Sequence, residues 1–134
     1  MSITRAIEIW KKDQRETDVY DNRWVGWKDT YLDGWITLYL FYVVDRSMLR
    51  WIRSDDDVCE IEVPKEIFMD MAERLLSRQY DLKYLEYDLL ETKRDMEYLE
   101  EARPGYIEGF AKGLKRLVME VGEDEIMVYI DAGN

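Results

Sequence analysis

An Asp-Gly pair inside a long apolar stretch constrains the fold of this chain more than any other feature. Asp33-Gly34 lies within residues 23–44, and apolar and aromatic residues flank it on both sides. A favoured two-residue hairpin turn needs positive φ at its central positions, which Asp-Gly adopts readily. The sequence therefore predicts a long central β-hairpin whose register places Leu32 opposite Trp35.

Both faces of this predicted hairpin are rich in apolar residues. An antiparallel sheet with one wet face alternates more cleanly between polar and apolar positions. Trp24, Trp35 and Phe41 fall on the less apolar of the two faces. We therefore expect that second face to be covered by a curled sheet or by a partner.

The 134 residues suffice for one domain with a sizeable core. We predict an α+β fold, with an antiparallel β-meander of about five strands followed by a long helix, a second helix and a C-terminal strand. The single domain would cover 1–134, with a β-rich part over 1–63, a helical part over 64–121 and the final strand over 125–131. The first strand would run from Ile3 to Lys11, followed by a charged loop.

Residues 46–53 fit two different structures. As a helix, this segment would place its three arginines on one face. As a strand that turns at the following Asp-Asp-Asp run, it would pair Trp51 with Ile61 and Arg50 with Glu62. The strand is favoured because it makes an apolar pair and an opposite-charge pair at the same time.

Pro64 marks the switch from strand to helix, because proline is favoured in the first turn. Beyond it, apolar residues recur in heptads as far as Leu99. A continuous helix over 65–102 would be about 55 Å long, which exceeds the width of a compact domain of this size. Either this helix projects and meets a partner, or it breaks near 77–81, where Arg78 interrupts the heptad pattern.

A second helix is predicted from about Tyr106 to Glu120, after an Arg-Pro-Gly stop. Gly105, Gly109 and Gly113 recur every four residues along it. Glycine costs about 1 kcal/mol relative to alanine inside a helix. We therefore expect these glycines to allow close packing against a helix or the sheet, with the approach of a ligand as the alternative.

Composition excludes several kinds of active site. The chain has no histidine and a single cysteine, Cys59, so it lacks histidine-based catalytic pairs, an intrachain disulfide and a cysteine zinc site. No Walker-type or Gly-x-Gly-x-x-Gly phosphate loop occurs. We predict no catalytic residues and no cofactor. The net charge of −11 opposes direct binding to duplex nucleic acid.

Clustered carboxylates are the one weak candidate for a metal site. Their oxygens are the ligands that Mg²⁺ prefers, and the members are Asp56, Asp57, Glu60 and Glu62. Their order resembles the acid–strand–lysine arrangement of metal-dependent nucleases, although Lys65 lies beyond Pro64. A solvated acidic turn is the favoured interpretation.

These observations favour a non-enzymatic interaction or assembly protein that forms a homodimer. Its predicted interface residues are Trp24, Trp35, Phe41, Leu82, Leu85, Leu89, Met96 and Leu99. One alternative is an acidic inhibitor that mimics nucleic acid and binds a basic nucleic-acid-handling enzyme; a second is a carboxylate-metal-dependent hydrolase.

The composition also suggests an origin for the chain. It resembles that of small proteins from viruses of thermophilic archaea, being rich in charged residues and poor in amides. This predicts a viral or mobile-element protein in the host cytoplasm. We see no membrane-spanning run and no signal peptide.

Overall fold

A computed structural model of the protein describes residues 4–12, 23–85 and 87–133. Within these ranges the chain forms a five-stranded antiparallel sheet, four α-helices and a separate two-stranded hairpin. The predicted α+β class, with helices following strands and a C-terminal strand at the end, is confirmed. Ile3 and all but the first residue of the charged loop predicted over 12–18 lie outside the described residues, as does the segment 19–22, predicted as irregular or as the start of the next strand.

The C-terminal strand lies at the centre of the five-stranded sheet. In spatial order the strands are β2 (Trp24–Gly26), β1 (Thr4–Lys11), β7 (Glu125–Ala132), β4 (Val58–Val63) and β3 (Arg50–Ser54). Tyr129 on β7 pairs with Ile7 on one side and with Ile61 on the other. These three side chains are buried, so β7 joins the two halves of the sheet through its core face.

The Asp-Gly pair lies in a helix, and the predicted central hairpin is therefore wrong. Helix α1 (Thr30–Leu38) continues as a π-helical turn over Tyr39–Val43. Asp29 caps α1, because its carboxylate accepts hydrogen bonds from the backbone N–H groups of Tyr31 and Leu32, at 2.8 and 3.0 Å.

Burial at helical spacing explains why α1 forms where a hairpin was expected. The side chains that the helix buries recur three and four residues apart, and they are Leu32, Trp35, Ile36, Tyr39 and Leu40. In a strand these residues would divide between two faces. In the helix they form one stripe within the main core, and Gly34 stays on the exposed side.

The predicted pairing beyond residue 49 is confirmed. Strands β3 and β4 are antiparallel, with Arg50 opposite Glu62 and Trp51 opposite Ile61. The helical alternative survives only as a short 3₁₀ turn over Arg46–Met48. A bulge between Trp51 and Arg53 interrupts the register.

The helix predicted after Pro64 breaks where the sequence suggested. Helix α2 (Lys65–Leu76) ends before Arg78, which has a φ of 59°, and helix α3 (Leu90–Ala102) begins after a small hairpin. The hairpin consists of β5 (Leu82–Tyr84) and β6 (Tyr87–Leu89). Because the helix breaks, its second half folds back onto the core.

Two hydrogen bonds to the backbone carbonyl of Tyr80 stabilise the break. The carbonyl oxygen of Tyr80 lies 3.0 Å from Nε1 of Trp35 and 3.2 Å from Oγ1 of Thr92. The Tyr80 hydroxyl donates to Glu100 at 2.7 Å. Tyr80 thus links α1 to α3.

Helix α4 spans Tyr106–Glu120, as predicted. The predicted close packing of its glycines is largely wrong. A Cβ at Gly109 would meet nothing within 4 Å, and one at Gly113 would make only an ordinary contact, 3.6 Å from Cγ2 of Val25. Gly105 precedes the helix in a left-handed conformation, with a φ of 84°, so it shapes the turn between α3 and α4.

The helices and the core-facing strand residues form one hydrophobic core. A smaller cluster on the opposite face of the sheet contains the buried side chains of Trp10, Val128 and Ile130, packed with other strand residues. Val128 lies between Glu8 and Glu62 in the register. Over the described ranges, none of the helices is long and apolar enough to cross a membrane.

Candidate interaction surface

Exposed apolar side chains gather around the π-helical turn. We call this set the aromatic surface, and its members are Phe41, Tyr42, Met48, Trp51, Tyr84 and Leu85. All except the half-buried Phe41 are between 41% and 77% exposed. Aromatic residues and methionine are enriched in protein interfaces, and exposed apolar patches mark interaction sites.

Ring contacts connect four of these residues, which come from three separate segments of the chain. Phe41 packs against Trp51 of β3 with ring centroids 6.0 Å apart, and Tyr42 packs edge-on against Tyr84 of β5 at 5.5 Å. Phe41 also contacts the core residue Tyr129 at 5.8 Å. The surface is therefore anchored to the sheet through Phe41.

The π-helical turn determines which side chains face outward. The N–H of Val44 donates to the carbonyl of Tyr39, five residues earlier, at 3.0 Å. This wider turn shifts the helical phase, and such turns are frequent at functional sites. Tyr39 and Leu40 remain buried while Tyr42 is 50% exposed.

A groove runs along the same turn. We call it the Tyr42 groove, and it is lined by Phe41, Tyr42, Val43, Val44, Asp45, Arg46 and Tyr84. Its lining carries one acid and one base, so it is locally neutral in a chain of net charge −11. The Ser47 backbone N–H donates to the Asp45 carboxylate at 2.9 Å and lowers its pKa.

Leu85 projects from the tip of the small hairpin beside this groove. It directly follows the groove residue Tyr84, is 77% exposed and has a φ of 55°. The left-handed conformation costs a non-glycine residue roughly 1 kcal/mol. Glycine or asparagine fits such a turn position better, so leucine here is unfavourable in both conformation and exposure.

The structure changes the predicted interface substantially. Half of the predicted residues are at most 1% exposed in the chain's own core, and these are Trp35, Leu82, Met96 and Leu99. They cannot meet a partner in this conformation: α1 buries Trp35, and the broken helix turns the seam of Leu82, Met96 and Leu99 inward. Phe41 and Leu89 are half-buried, whereas Trp24 (58%) and Leu85 are exposed.

The predicted interface did not include Tyr42, Met48, Trp51 or Tyr84; core packing was the favoured interpretation for Tyr42 and Trp51, with an interface as the alternative. A signal was present for Tyr42: if 30–43 is helical, Tyr31 and Tyr42 fall outside the stripe formed by the buried residues. No signal in the sequence brings Tyr84 next to Tyr42. That contact depends on where the hairpin after α2 packs.

Two of the weak metal candidates, Asp57 and Glu62, take part in contacts within the chain. Asp55 accepts hydrogen bonds from the backbone N–H groups of Asp57 and Val58, at 3.1 and 3.0 Å. Glu62 pairs with Arg50 at 2.6 Å. In the parts of the chain that the structure describes, no three acidic or cysteine side chains are grouped to hold a metal ion.

A polar cluster occupies the rim of the core between β1, β7 and α1. Arg5 Nε lies 3.2 Å from Asp33 Oδ1, which also accepts a hydrogen bond from Trp27 Nε1 at 3.0 Å. Burial raises the pKa of the neighbouring Asp131; Arg5 lowers it and Asp33 raises it further. The thiol of Cys59 has a raised pKa through burial and the charge of Asp131, so it is not activated as a nucleophile.

Comparisons of the chain with protein-family models, with curated proteins and with solved structures found no match.

Proposed function

We propose that this chain is a non-enzymatic interaction protein that binds a protein partner through the aromatic surface. The observation that carries the proposal is the exposure of Tyr42, Trp51 and Tyr84, which ring contacts connect around the Tyr42 groove, with the exposed Leu85 next to Tyr84 in the chain. Tyrosine and tryptophan dominate binding energy in protein interfaces because they bury large areas at a small entropic cost.

The backbone at Leu85 supports this proposal independently of exposure. A left-handed leucine at an exposed turn destabilises the isolated chain. Strained residues of this kind cluster at binding sites, where complex formation repays the strain. Burial of the Leu85 side chain against a partner would offset the free-energy cost of its left-handed conformation.

The nucleic-acid-mimic alternative receives less support from the geometry. The acidic residues of such a mimic would lie along one long helix over 65–102, but this segment forms two helices separated by a hairpin. Several are already matched by cations of this chain, as in the pairs Asp70–Arg74 and Lys93–Glu97. A homodimer, a cytoplasmic location and a thermophile or viral origin stay predictions.

A pair of double variants tests the proposal. Tyr42→Ser with Tyr84→Ser removes the ring pair of the aromatic surface. Tyr31→Ser with Tyr98→Ser removes a matched edge-on pair elsewhere, with centroids 5.4 Å apart and exposures of 38% and 55%. Tagged wild-type and variant proteins are produced in the source cells, and co-isolated proteins are quantified by mass spectrometry.

We expect the wild type and the Tyr31/Tyr98 variant to retain the same partner. The Tyr42/Tyr84 variant should lose it while keeping the same circular dichroism spectrum and thermal midpoint within a few degrees. Equal retention by all three proteins would show that the aromatic surface is not where a partner binds.

A further inference from the structure

We propose that the occupant of the aromatic surface is a second copy of this chain, bound about a two-fold axis so that Leu85 of each copy inserts into the Tyr42 groove of the other. This inference rests on the proposed function and names its partner. It starts from the position of Leu85, which borders the groove through Tyr84. In a two-fold interface the same patch serves both copies, so a projection beside a groove allows two equal contacts.

The chemistry of projection and groove matches. Leu85 is apolar and 77% exposed, and the groove is lined mainly by aromatic and aliphatic residues. Leu85 is too exposed to stabilise its own chain by burial, and its φ of 55° disfavours leucine. Insertion into a second copy accounts for both features.

Charge permits this contact at short range. The groove lining contains one acid and one base, Asp45 and Arg46, so the lining itself adds no net charge to the contact. Away from the surface, the two chains repel because each carries a net charge of −11. Salt should therefore strengthen a homodimer, whereas it should weaken binding to a basic protein.

The exposed area indicates a weak, reversible dimer. With roughly 250 Å² for a large aromatic side chain, exposures of 41–50% leave roughly 100 Å² on each of Tyr42, Trp51 and Tyr84. Met48 and Leu85 bring the total to roughly 500 Å² per copy, below the roughly 800 Å² of a standard interface. We expect dissociation constants in the micromolar range or weaker.

Analytical ultracentrifugation of the full chain tests the inference. Concentrations run from about 1 µM to about 500 µM, at about 0.1 M and about 1 M NaCl, where the screening length falls from about 10 Å to about 3 Å. We expect a monomer–dimer equilibrium whose dissociation constant decreases several-fold at high salt.

Leu85→Gly separates folding from association. Glycine adopts the left-handed turn readily, so this variant should be at least as stable as the wild type in thermal unfolding. Loss of the buried leucine contacts should weaken the dimer by about tenfold or more. Tyr98→Ser is the surface control and should dimerise like the wild type.

Mixing two defective variants distinguishes specific insertion of Leu85 into the Tyr42 groove from non-specific hydrophobic association. Leu85→Gly keeps its groove, and Tyr42→Ser keeps its Leu85, so a mixed dimer retains one of the two insertions while neither homodimer retains any. The mixture should associate more tightly than either variant alone.

Three results would overturn the inference: a monomer at every concentration and salt, a dimer indifferent to Leu85→Gly, or a dimer that salt weakens. A monomer whose partner in the co-isolation experiment still depends on Tyr42 and Tyr84 would refute the second copy and leave the interaction function in place. A monomer with no such partner would refute both.

Discussion

The Gly34→Ala substitution distinguishes the observed helix from the predicted hairpin, because it should stabilise a helix and destabilise a hairpin turn. Gly34 lies inside α1, on its exposed side, and a Cβ there would meet nothing within 4 Å. Alanine is favoured over glycine by about 1 kcal/mol in a helix interior. We therefore expect Gly34→Ala to raise the free energy of unfolding by about 0.5–1 kcal/mol.

This change is large enough to measure. With an unfolding entropy of about 2.1 cal/mol/K per residue, a stabilisation of about 1 kcal/mol raises the midpoint of a 134-residue chain by roughly 3–4 °C. Thermal melts followed by circular dichroism at 222 nm would give the shift in midpoint, and urea titrations would give the change in the free energy of unfolding.

Two other glycines serve as matched controls. Gly109 is an exposed position inside α4 with free space around it, so Gly109→Ala should also stabilise the protein. Gly105 has a φ of 84°, so Gly105→Ala should destabilise it by about 1 kcal/mol. If Gly34→Ala behaves like Gly105→Ala and lowers the midpoint, residue 34 has a positive φ and the helical assignment of 30–38 is refuted.

Three further variants probe the links between elements. Tyr80→Phe removes a hydrogen bond to the Glu100 carboxylate and should cost about 1.5 kcal/mol in urea unfolding. Gly26→Ala should destabilise the protein and lower its melting midpoint, because its Cβ would lie 2.8 Å from Cζ3 of Trp24 and 3.2 Å from a backbone oxygen. Asp131→Asn should gain stability over the wild type as the pH rises from 4 to 7, measured by melts across that range.

The direction of the Asp131 prediction follows from proton linkage. Its pKa is raised in the folded protein, so between the unfolded and folded pKa values the native state binds more protons. Stability from this group is present at low pH and is lost as the pH rises. Asparagine does not ionise and avoids that loss. If the stability of Asp131→Asn relative to the wild type falls as the pH rises toward 7, the pKa of Asp131 is not raised by burial.

The strengths and failures of the sequence predictions have different physical causes. The pairing of Trp51 with Ile61 and the bounds of α4 follow from local patterns that tertiary contacts do not oppose. The segment 30–43 carries two compatible patterns, an Asp-Gly turn signal and apolar residues at helical spacing. The helix forms because its cap and its buried stripe are both satisfied at once, whereas the turn signal concerns only two residues.

The candidate surface was predictable only in part. Leu85 was predicted as an interface residue from the heptad pattern, and Phe41 from a face of the predicted hairpin. Both belong to the aromatic surface, but Leu85 lies in the turn of a small hairpin and Phe41 in a π-helical turn. Tyr42 and Tyr84 contact each other across a sequence separation that no local pattern spans. Three predicted residues are buried in the core because the break near Arg78 turns the helix seam inward, and Trp35 is buried because 30–38 is a helix.

The sequence by itself determined the α+β class, the place where the long helical segment could break, and the lack of histidine, of an intrachain disulfide and of a phosphate-loop motif. These depend on composition and on patterns within one element. Tertiary structure alone decided that the last strand lies at the centre of the sheet and which apolar side chains stay exposed. Burial is a property of how elements pack on each other, so the same apolar residue belongs to the core or to a binding surface according to contacts made far away in the chain.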